Sequence, residues 1–213
     1  MNWTDIRTLN NSQNDGFEEL VCQLAKKESI SSKKNFYRNG KPDGGVECYW
    51  VLKDNQEIAW QAKFFTSSLT DVQWKQIDKS VSTALNTHSN LSKYIIALPI
   101  DPPDARILQQ QSMRDKWNNE VEKWQGWATA KGMSVDFEPW WSTDIIERLT
   151  KPENSGLKYF FFNKQEFTTD WFKRKNEKVK KQNTTKHKKD SIGNQITTIY
   201  CSFHTVLCVC IVS

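Results

Sequence analysis

The stretch VECYWVLKDNQEIAWQAKF, residues 46–64, determines the fold class of this chain. Its first half is rich in β-branched and aromatic residues, which is typical of a strand. In its second half, apolar residues occupy every second position from Ile58 to Phe64, the pattern of a strand with one buried face. Asp54-Asn55 separates the halves with residues that favour turns. The sequence therefore predicts an antiparallel β-hairpin.

The segments around the hairpin predict a mixed central sheet flanked by helices. Apolar residues recur at helical spacing from Phe17 to Leu24, after the capping stretch Asn14-Asp15-Gly16, and again over residues 71–86. Tyr94 to Ile100 is an almost continuous apolar run, typical of a strand buried on both faces. A strand, a helix and a strand in this order form a crossover between parallel strands. The fold class is therefore α/β, and residues 31–45, rich in Ser, Lys, Asn and Gly, are expected to form a loop.

Tryptophan is unusually frequent, with 10 residues in the chain. Aromatic side chains in this number need a substantial core or a partner surface. Trp117, Trp124 and Trp127 recur within a predicted helix over residues 113–131, at the spacing of a helix face packed on the core. We therefore expect these three side chains to be structural rather than a base-stacking platform.

The length of 213 residues suits one domain with an appendage. We place this domain at residues 1–172, where a strand over residues 134–137 and a short helix over residues 143–149 complete it. Residues 173–190 form a basic linker. Residues 191–213 are an irregular, apolar, Cys-rich tail, either a β-hairpin packed on the domain or the product of a truncated or frame-shifted gene. Its composition, unlike that of any other segment, favours the second alternative.

The composition excludes several classes of protein. A mean hydropathy of −0.72 and the absence of about 20 continuous apolar residues exclude a membrane channel. The polar start, residues 1–14, lacks the pattern of a signal peptide, so we expect a cytoplasmic protein with no membrane partner. Neither the five cysteines nor the three histidines have the spacing of a disulfide framework, a zinc site or a catalytic triad. The net charge of +5 permits nucleic acid as a partner without requiring it.

Three side chains suited to phosphate chemistry converge on the hairpin. Counting outward from the turn places Glu47 opposite residues 61–63, where cross-strand neighbours lie about 4.5–5.5 Å apart. Gln61 and Lys63 share one face of their strand because they are two residues apart. A carboxylate and an amide oxygen are hard ligands suited to Mg²⁺ or Mn²⁺. We expect Glu47 and Gln61 to bind the metal and Lys63 to orient or deprotonate an attacking water.

These residues resemble the PD-(D/E)xK nuclease superfamily and, within it, the Mrr-like restriction endonucleases. The family pattern is a helix-borne Glu, a Gly-rich turn into an acidic strand residue, and QxK on the next strand. Here the corresponding segments are FEEL at 17–20, DGGVE at 43–47 and QAK at 61–63. The resemblance implies a restriction-endonuclease-like core with Glu47 as the strand acid. It also implies that Glu18 is the helix acid and a further metal ligand.

Two positions stay open within this resemblance. The strand acid of the family is usually Asp, so Asp43 is an alternative metal ligand to Glu47. Counting places the hairpin partner of Asp43 near Thr66, beyond the QxK segment, and this favours a supporting role for Asp43. On the helix, Glu19 is the alternative to Glu18, because one of the two faces the sheet while the other caps the helix or pairs with lysines.

A wider stretch, residues 17–172, resembles the amino-terminal nuclease-like effector domain of bacterial STAND-type antiviral ATPases. The segments that carry this likeness are FEELVCQLAKKE, PDGGVECYW, WQAKFF, WKQIDKSV, ALPIDPPD and DKWNNEVEKWQGWA. The chain has no G-x-x-x-x-G-K-[ST] phosphate loop, so the ATPase and sensor module of those proteins is absent from it. The resemblance implies a DNA endonuclease for antiphage defence that forms a homo-oligomer when active. The alternative is a catalytically silent nuclease-fold module for oligomerisation, docking or weak nucleic-acid binding.

Additional polar residues are candidates for contact with a phosphate backbone. Lys75 and Gln76 lie on the predicted helix after the QxK strand, where a solvated helix face explains them equally well. Lys173, Arg174 and Lys175 begin the basic linker and suit sequence-independent phosphate binding, although a flexible linker explains them better.

Overall fold

The predicted hairpin lies within a five-stranded sheet in the computed structural model, which describes residues 1–40, 44–103 and 112–162. These residues belong to one compact unit, Met1–Lys164. The strands follow one another across the sheet in chain order. Their bounds are β1 Lys33–Arg38, β2 Cys48–Leu52, β3 Glu57–Ala62, β4 Leu91–Ala97 and β5 Asp136–Trp140.

The sheet is mixed, as the sequence predicts. β1, β2 and β3 pair antiparallel, whereas β3, β4 and β5 pair parallel. The turn between β2 and β3 contains Asn55 at a φ of 67°, and Asp54 accepts a hydrogen bond from the Gln56 amide at 3.0 Å. An Asn tolerates this left-handed conformation better than most residues. The α/β fold class and the hairpin turn are therefore confirmed.

Helices cover both faces of the sheet. They are α1 Gln13–Lys27, α2 Asp71–Thr87, α3 Met113–Thr129, α4 Ser142–Thr150 and α5 Ser155–Phe162. α1, α4 and α5 pack on the face that carries Cys48, Trp60 and Ala62. α2 and α3 pack on the opposite face, which carries Ala59 and Tyr94. Each face buries its own hydrophobic cluster, so the sheet separates two halves of the core.

α2 and α3 run parallel and are joined by polar contacts at a constant sequence offset. The pairs Asp71 with Lys116, Asp78 with Lys123 and Asn86 with Lys131 join residues 45 apart. Beneath them, Trp117 and Trp124 are buried. The expected structural role is therefore confirmed for Trp117 and Trp124, while Trp127 is partly buried and packs against the same cluster.

Two segments differ from the sequence-based expectation. Residues 31–45 were expected to form a loop, but β1 occupies residues 33–38 at one edge of the sheet. Four of its six residues are exposed, because an edge strand over an uncovered face needs no apolar alternation. α1 begins at Gln13 with Ser12 as its N-cap, so Gly16 lies inside the helix rather than before it.

The expected boundaries at residues 172 and 190, with the basic linker and the tail, lie outside the described residues. α5, which the sequence did not predict, ends the described chain at Phe162. None of the helices within the described ranges has both the length and the apolar character that a membrane span requires.

Candidate functional site

Glu47 and Gln61 are hydrogen-bonded to each other at the open end of the hairpin. Trp60 lies on the face that α1, α4 and α5 cover, so Gln61, the next residue of β3, lies on the opposite face, which α2 and α3 cover. Gln61 Nε2 donates a hydrogen bond to Glu47 Oε1 at 2.6 Å. Glu47 is 5% exposed and Gln61 is 1% exposed. The carboxylate is therefore held in place by an amide from the neighbouring strand.

The carbonyl oxygen of the Gln61 side chain is buried without a partner. Gln61 Oε1 accepts no hydrogen bond from any described residue, while Nε2 is directed at Glu47 and also lies 3.3 Å from the Ala62 carbonyl oxygen. A buried acceptor that loses its hydrogen bond to water carries a penalty of about 1–3 kcal/mol. A water or a cation bound to Gln61 Oε1 would remove that penalty. A carboxylate oxygen and an amide oxygen are both of the type that Mg²⁺ or Mn²⁺ binds.

Lys63 directly follows β3 and is half-buried. Its backbone amide donates to the Ala97 carbonyl at 3.0 Å, which continues the pairing of β3 with β4 by one residue. Because the strand pairing continues, the Lys63 side chain leaves the backbone on the same face as Gln61. The structure therefore places Lys63 on the same face as Gln61, whose amide bonds Glu47, at the end of β3.

A glycine turn brings the chain to Glu47. Gly44 and Gly45 both have positive φ, at 62° and 81°, a region that L residues with a side chain rarely adopt. Gly45 packs against α2 so closely that an added Cβ would lie 2.4 Å from the Ser80 carbonyl oxygen. Thr87 Oγ1 donates to the Gly44 carbonyl at 3.1 Å, and the Tyr94 hydroxyl donates to the Gly45 carbonyl. Side chains of α2 and β4 thus hold the backbone of the glycine turn in place.

Asn39 and Tyr94 support the site and were missed by sequence reasoning. The Asn39 amide donates to the Glu47 carbonyl at 2.9 Å, and its side chain donates to the Val46 carbonyl at 2.9 Å. Nothing in the polar segment around Asn39 signals this role. Tyr94 did carry a signal, because a hydroxyl in a fully buried strand needs a hydrogen-bond partner.

The two helix acids have different surroundings. Glu19 accepts hydrogen bonds from Arg38 and, at 2.6 Å, from Gln23. It therefore forms an ion pair with a basic side chain. Glu18 is half-buried on α1, the helix that packs on the opposite face of the sheet from Glu47. Its assignment as a metal ligand stays a prediction.

The other residues predicted to support the site or to bind phosphates are exposed or lie outside the described residues. Lys75 and Gln76 are exposed on α2, and the Gln76 carbonyl accepts a hydrogen bond from Ser80, the residue packed against Gly45. Asp43, Lys173, Arg174 and Lys175 fall outside the described residues. Within the described ranges, no three or more His, Cys, Asp or Glu side chains are grouped as a metal site.

A thiol lies next to the site but on the other face. Cys48 is fully buried, and burial together with the neighbouring Cys22 raises the pKa of its thiol well above the usual range. Only a thiolate is an effective nucleophile. Cys48 therefore contributes packing, not covalent catalysis.

The positive charge of the chain is not distributed over the described domain. Residues 1–162 contain 20 Lys and Arg against 21 Asp and Glu, whereas residues 163–213 contain 10 against 4. The domain that carries Glu47 is thus almost neutral. Attraction to a polyanion through net charge belongs to the C-terminal residues.

No family model matches the chain, and no curated protein matches it.

Proposed function

We propose that this chain is a metal-dependent endonuclease of the PD-(D/E)xK type, with a restriction-endonuclease-like core, that hydrolyses phosphodiester bonds in DNA. The observation that carries the proposal is the buried Glu47 carboxylate bonded to the Gln61 amide, whose own oxygen, Oε1, has no partner among the described residues. A buried oxygen without a donor is a place for a bound water or ion. Lys63, on the same face, supplies the positive charge that phosphate chemistry needs.

In this proposal Glu47 and Gln61 hold Mg²⁺ or Mn²⁺ through one carboxylate oxygen and one amide oxygen, and Glu18 is the further ligand. Mg²⁺ usually takes few protein ligands and completes its coordination with water and phosphate. When bound, the ion would act as a Lewis acid toward a phosphoryl oxygen. Glu47 is kept oriented for this by the Gln61 amide and by the fixed turn below it.

Lys63 acts on the attacking water and on the developing charge. An ammonium group there orients the water, or accepts its proton after losing its own, and it offsets the charge that grows on the phosphate oxygens in the transition state. The β3–β4 hydrogen bond fixes the Lys63 backbone at the end of the strand. Asp43 and Gln76 are proposed as supporting residues near the glycine turn.

The wider role is proposed from the resemblance stated above. The chain would be a cytoplasmic effector of antiphage defence, active as a homo-oligomer and dependent on an ATPase and sensor module. Lys75, Lys173, Arg174 and Lys175 would contact the DNA backbone outside the site.

Plasmid nicking tests the proposed activity. Purified protein at high concentration, alone and fused to an oligomerising domain, is incubated with supercoiled plasmid and Mg²⁺ or Mn²⁺. We expect metal-dependent nicking that Glu47→Gln and Lys63→Ala abolish. Lys53→Ala, which changes an exposed lysine in the hairpin turn, is the matched control and retains nicking. Nicking that survives in Lys63→Ala removes this residue from the mechanism.

Metal binding is tested independently of cleavage. A ligand that binds the folded state alone raises the melting temperature by mass action. Mn²⁺ is therefore expected to raise the melting temperature of the wild type but not of Glu47→Gln. Glu122→Gln, an exposed change on α3, keeps the shift. An equal shift in all three proteins places the metal elsewhere.

A catalytically silent module is the second candidate, and the burial of Glu47 and Gln61 favours it. At 5% and 1% exposure, and bonded to each other, these side chains also fit a purely structural pair inside the fold. This candidate predicts neither nicking nor a Mn²⁺ shift, even in the forced oligomer, together with a large loss of stability in Glu47→Ala.

A further inference from the structure

Two tyrosines form a stacked pair on the uncovered part of the sheet. Tyr37 of β1 pairs directly with Tyr49 of β2, and their rings stack with centroids 5.2 Å apart and planes inclined by 24°. Tyr37 is 44% exposed, which makes it one of three large apolar side chains exposed among the described residues. The Asn35 amide donates to the Tyr37 hydroxyl at 3.2 Å, so the exposed ring has a preferred orientation.

The inner ring is held from the other side. His88 lies edge-on to Tyr49 with centroids 4.9 Å apart, and its Nδ1 is 2.7 Å from Glu57 Oε2. Partial burial and the nearby Glu57 raise the pKa of the Tyr49 phenol, which keeps it uncharged at neutral pH. The pair is therefore a preorganised, neutral aromatic surface that would not repel a phosphate.

This surface lies on the same face as the candidate active site. Tyr49 is two residues from Glu47 along one chain, and Tyr37 is two residues from Asn39, whose amide bonds Glu47. Two residues of extended strand span about 7 Å. Tyr49 is thus about 7 Å along the chain from Glu47, one of the residues proposed to hold the metal.

Because the domain is almost neutral, we consider base stacking, rather than charge, as its source of affinity for DNA. With 20 basic and 21 acidic residues in 1–162, attraction to phosphates contributes little net binding there. Aromatic rings bind unpaired bases of any sequence, because every base has a π face. A base paired in a duplex has its faces covered, so it cannot use the Tyr37 ring.

We propose that Tyr37, backed by Tyr49, stacks an unpaired base of the strand that enters the Glu47 site, so that the preferred substrate is single-stranded or locally opened DNA. This inference rests on the proposed nuclease function. The exposed ring of Tyr37 would continue its stack onto the base.

Fluorescence anisotropy tests the platform. The full-length protein is titrated in EDTA into a labelled 12-nucleotide single strand, the matching duplex, and a single strand of the same length with abasic sites. The wild type is expected to bind the base-containing single strand about tenfold more tightly than the abasic one. Tyr37→Ala should remove that difference, and Tyr37→Phe, which keeps the ring, should retain it. Tyr159→Ala, on α5, is the control for loss of a tyrosine ring outside the sheet.

The outcomes separate this inference from the proposed function. An equal affinity of wild type and Tyr37→Ala for the base-containing strand overturns the platform, whether or not the protein cleaves DNA. Base-dependent binding with no nicking supports the platform and counts against the nuclease alone. If light scattering shows that Tyr37→Ala converts a dimer into a monomer without changing base dependence, the surface joins two copies and the inference is wrong. Circular dichroism verifies that each variant is folded.

Discussion

Gly45 is the residue whose replacement tests most directly how the turn holds Glu47. A Cβ at this position would lie 2.4 Å from the Ser80 carbonyl oxygen and 3.0 Å from the Ala84 amide nitrogen. The φ of 81° adds the strain of a left-handed conformation. We expect Gly45→Ala to lower the free energy of unfolding by about 2–3 kcal/mol, measured by urea denaturation, and to abolish the Mn²⁺ shift.

Gly44 is the matched control for this change. Its φ of 62° is similar, but an added Cβ would meet nothing closer than Thr87 Oγ1 at 3.5 Å. Gly44→Ala should therefore lower the free energy of unfolding only by the cost of the left-handed conformation, about 1 kcal/mol. Equal losses in the two variants would contradict the close approach of Gly45 to α2.

The contact between Glu47 and Gln61 could be predicted from the sequence, whereas its supports could not. The turn at Asp54-Asn55 sets the register, and the two-residue period of a strand then decides which side chains share a face. Asn39 and Tyr94 instead donate to backbone carbonyls of Val46 and Gly45. Any residue offers such a carbonyl, so no pattern of side chains identifies the acceptor.

The α2–α3 pair offers a test of which polar contacts stabilise the fold. Asp78 accepts hydrogen bonds from Lys123 at 2.9 Å and from the indole N–H of Trp124 at 2.7 Å. Trp124 is fully buried, so Asp78→Ala leaves a buried donor without a partner. We expect a loss of about 1–3 kcal/mol in the free energy of unfolding.

Asp71 provides the comparison within the same helix pair. It bonds Lys116 at 2.7 Å, but its side chain is 84% exposed, and exposed ion pairs contribute little. Asp71→Ala should therefore be much less destabilising than Asp78→Ala. Similar losses in the two variants would show that the indole contact is unimportant.

The hydrogen bonds at the start of α3 predict that the stability of the fold depends on pH. Asp115 accepts hydrogen bonds from the Ser112 hydroxyl at 2.8 Å and from the Ser112 amide at 3.1 Å, and these bonds lower the pKa of the Asp115 carboxyl. Because the carboxyl has a lower pKa in the folded state, its ionisation stabilises the fold at any pH above the pKa of the unfolded state, about 3.9. This stabilisation is lost as the pH falls through the lower pKa of the folded state. The melting temperature of Asp115→Asn should be below that of the wild type at pH 7, and the gap should narrow at pH 3. Glu122→Gln, on the same helix, should show no such narrowing.

Burial decided whether β4 and β1 could be predicted from the sequence. β4 is almost wholly buried, so its apolar run identifies it. β1 is an edge strand whose Lys, Asn and Arg side chains face solvent, and its strand character comes from pairing with β2. That pairing depends on a segment distant from any turn signal, which local sequence does not specify.

At the scale of the whole molecule, the sequence determines the α/β class but does not by itself establish a family. The order of hairpin, helix and strand follows from hydrophobic periodicity, and the mixed sheet agrees with it. Nuclease function depends on a few polar residues that many α/β folds can display. For that reason the site is better tested by metal binding at Glu47 than by any likeness of fold.

The separation of charge between the domain and the C-terminal residues predicts how the chain responds to salt. The surplus of Lys and Arg lies after residue 162, so DNA affinity should fall steeply with salt concentration if these residues bind phosphates. Each phosphate contact contributes about 0.9 to the slope of log K against log salt for a duplex. Changing Lys173, Arg174 and Lys175 to Gln should therefore reduce the slope by up to about 3. An equal change at exposed domain lysines, Lys26, Lys53 and Lys151, should leave it nearly unchanged. If both triple variants reduce the slope alike, net charge rather than the basic segment attracts the DNA, and the linker has no binding role of its own.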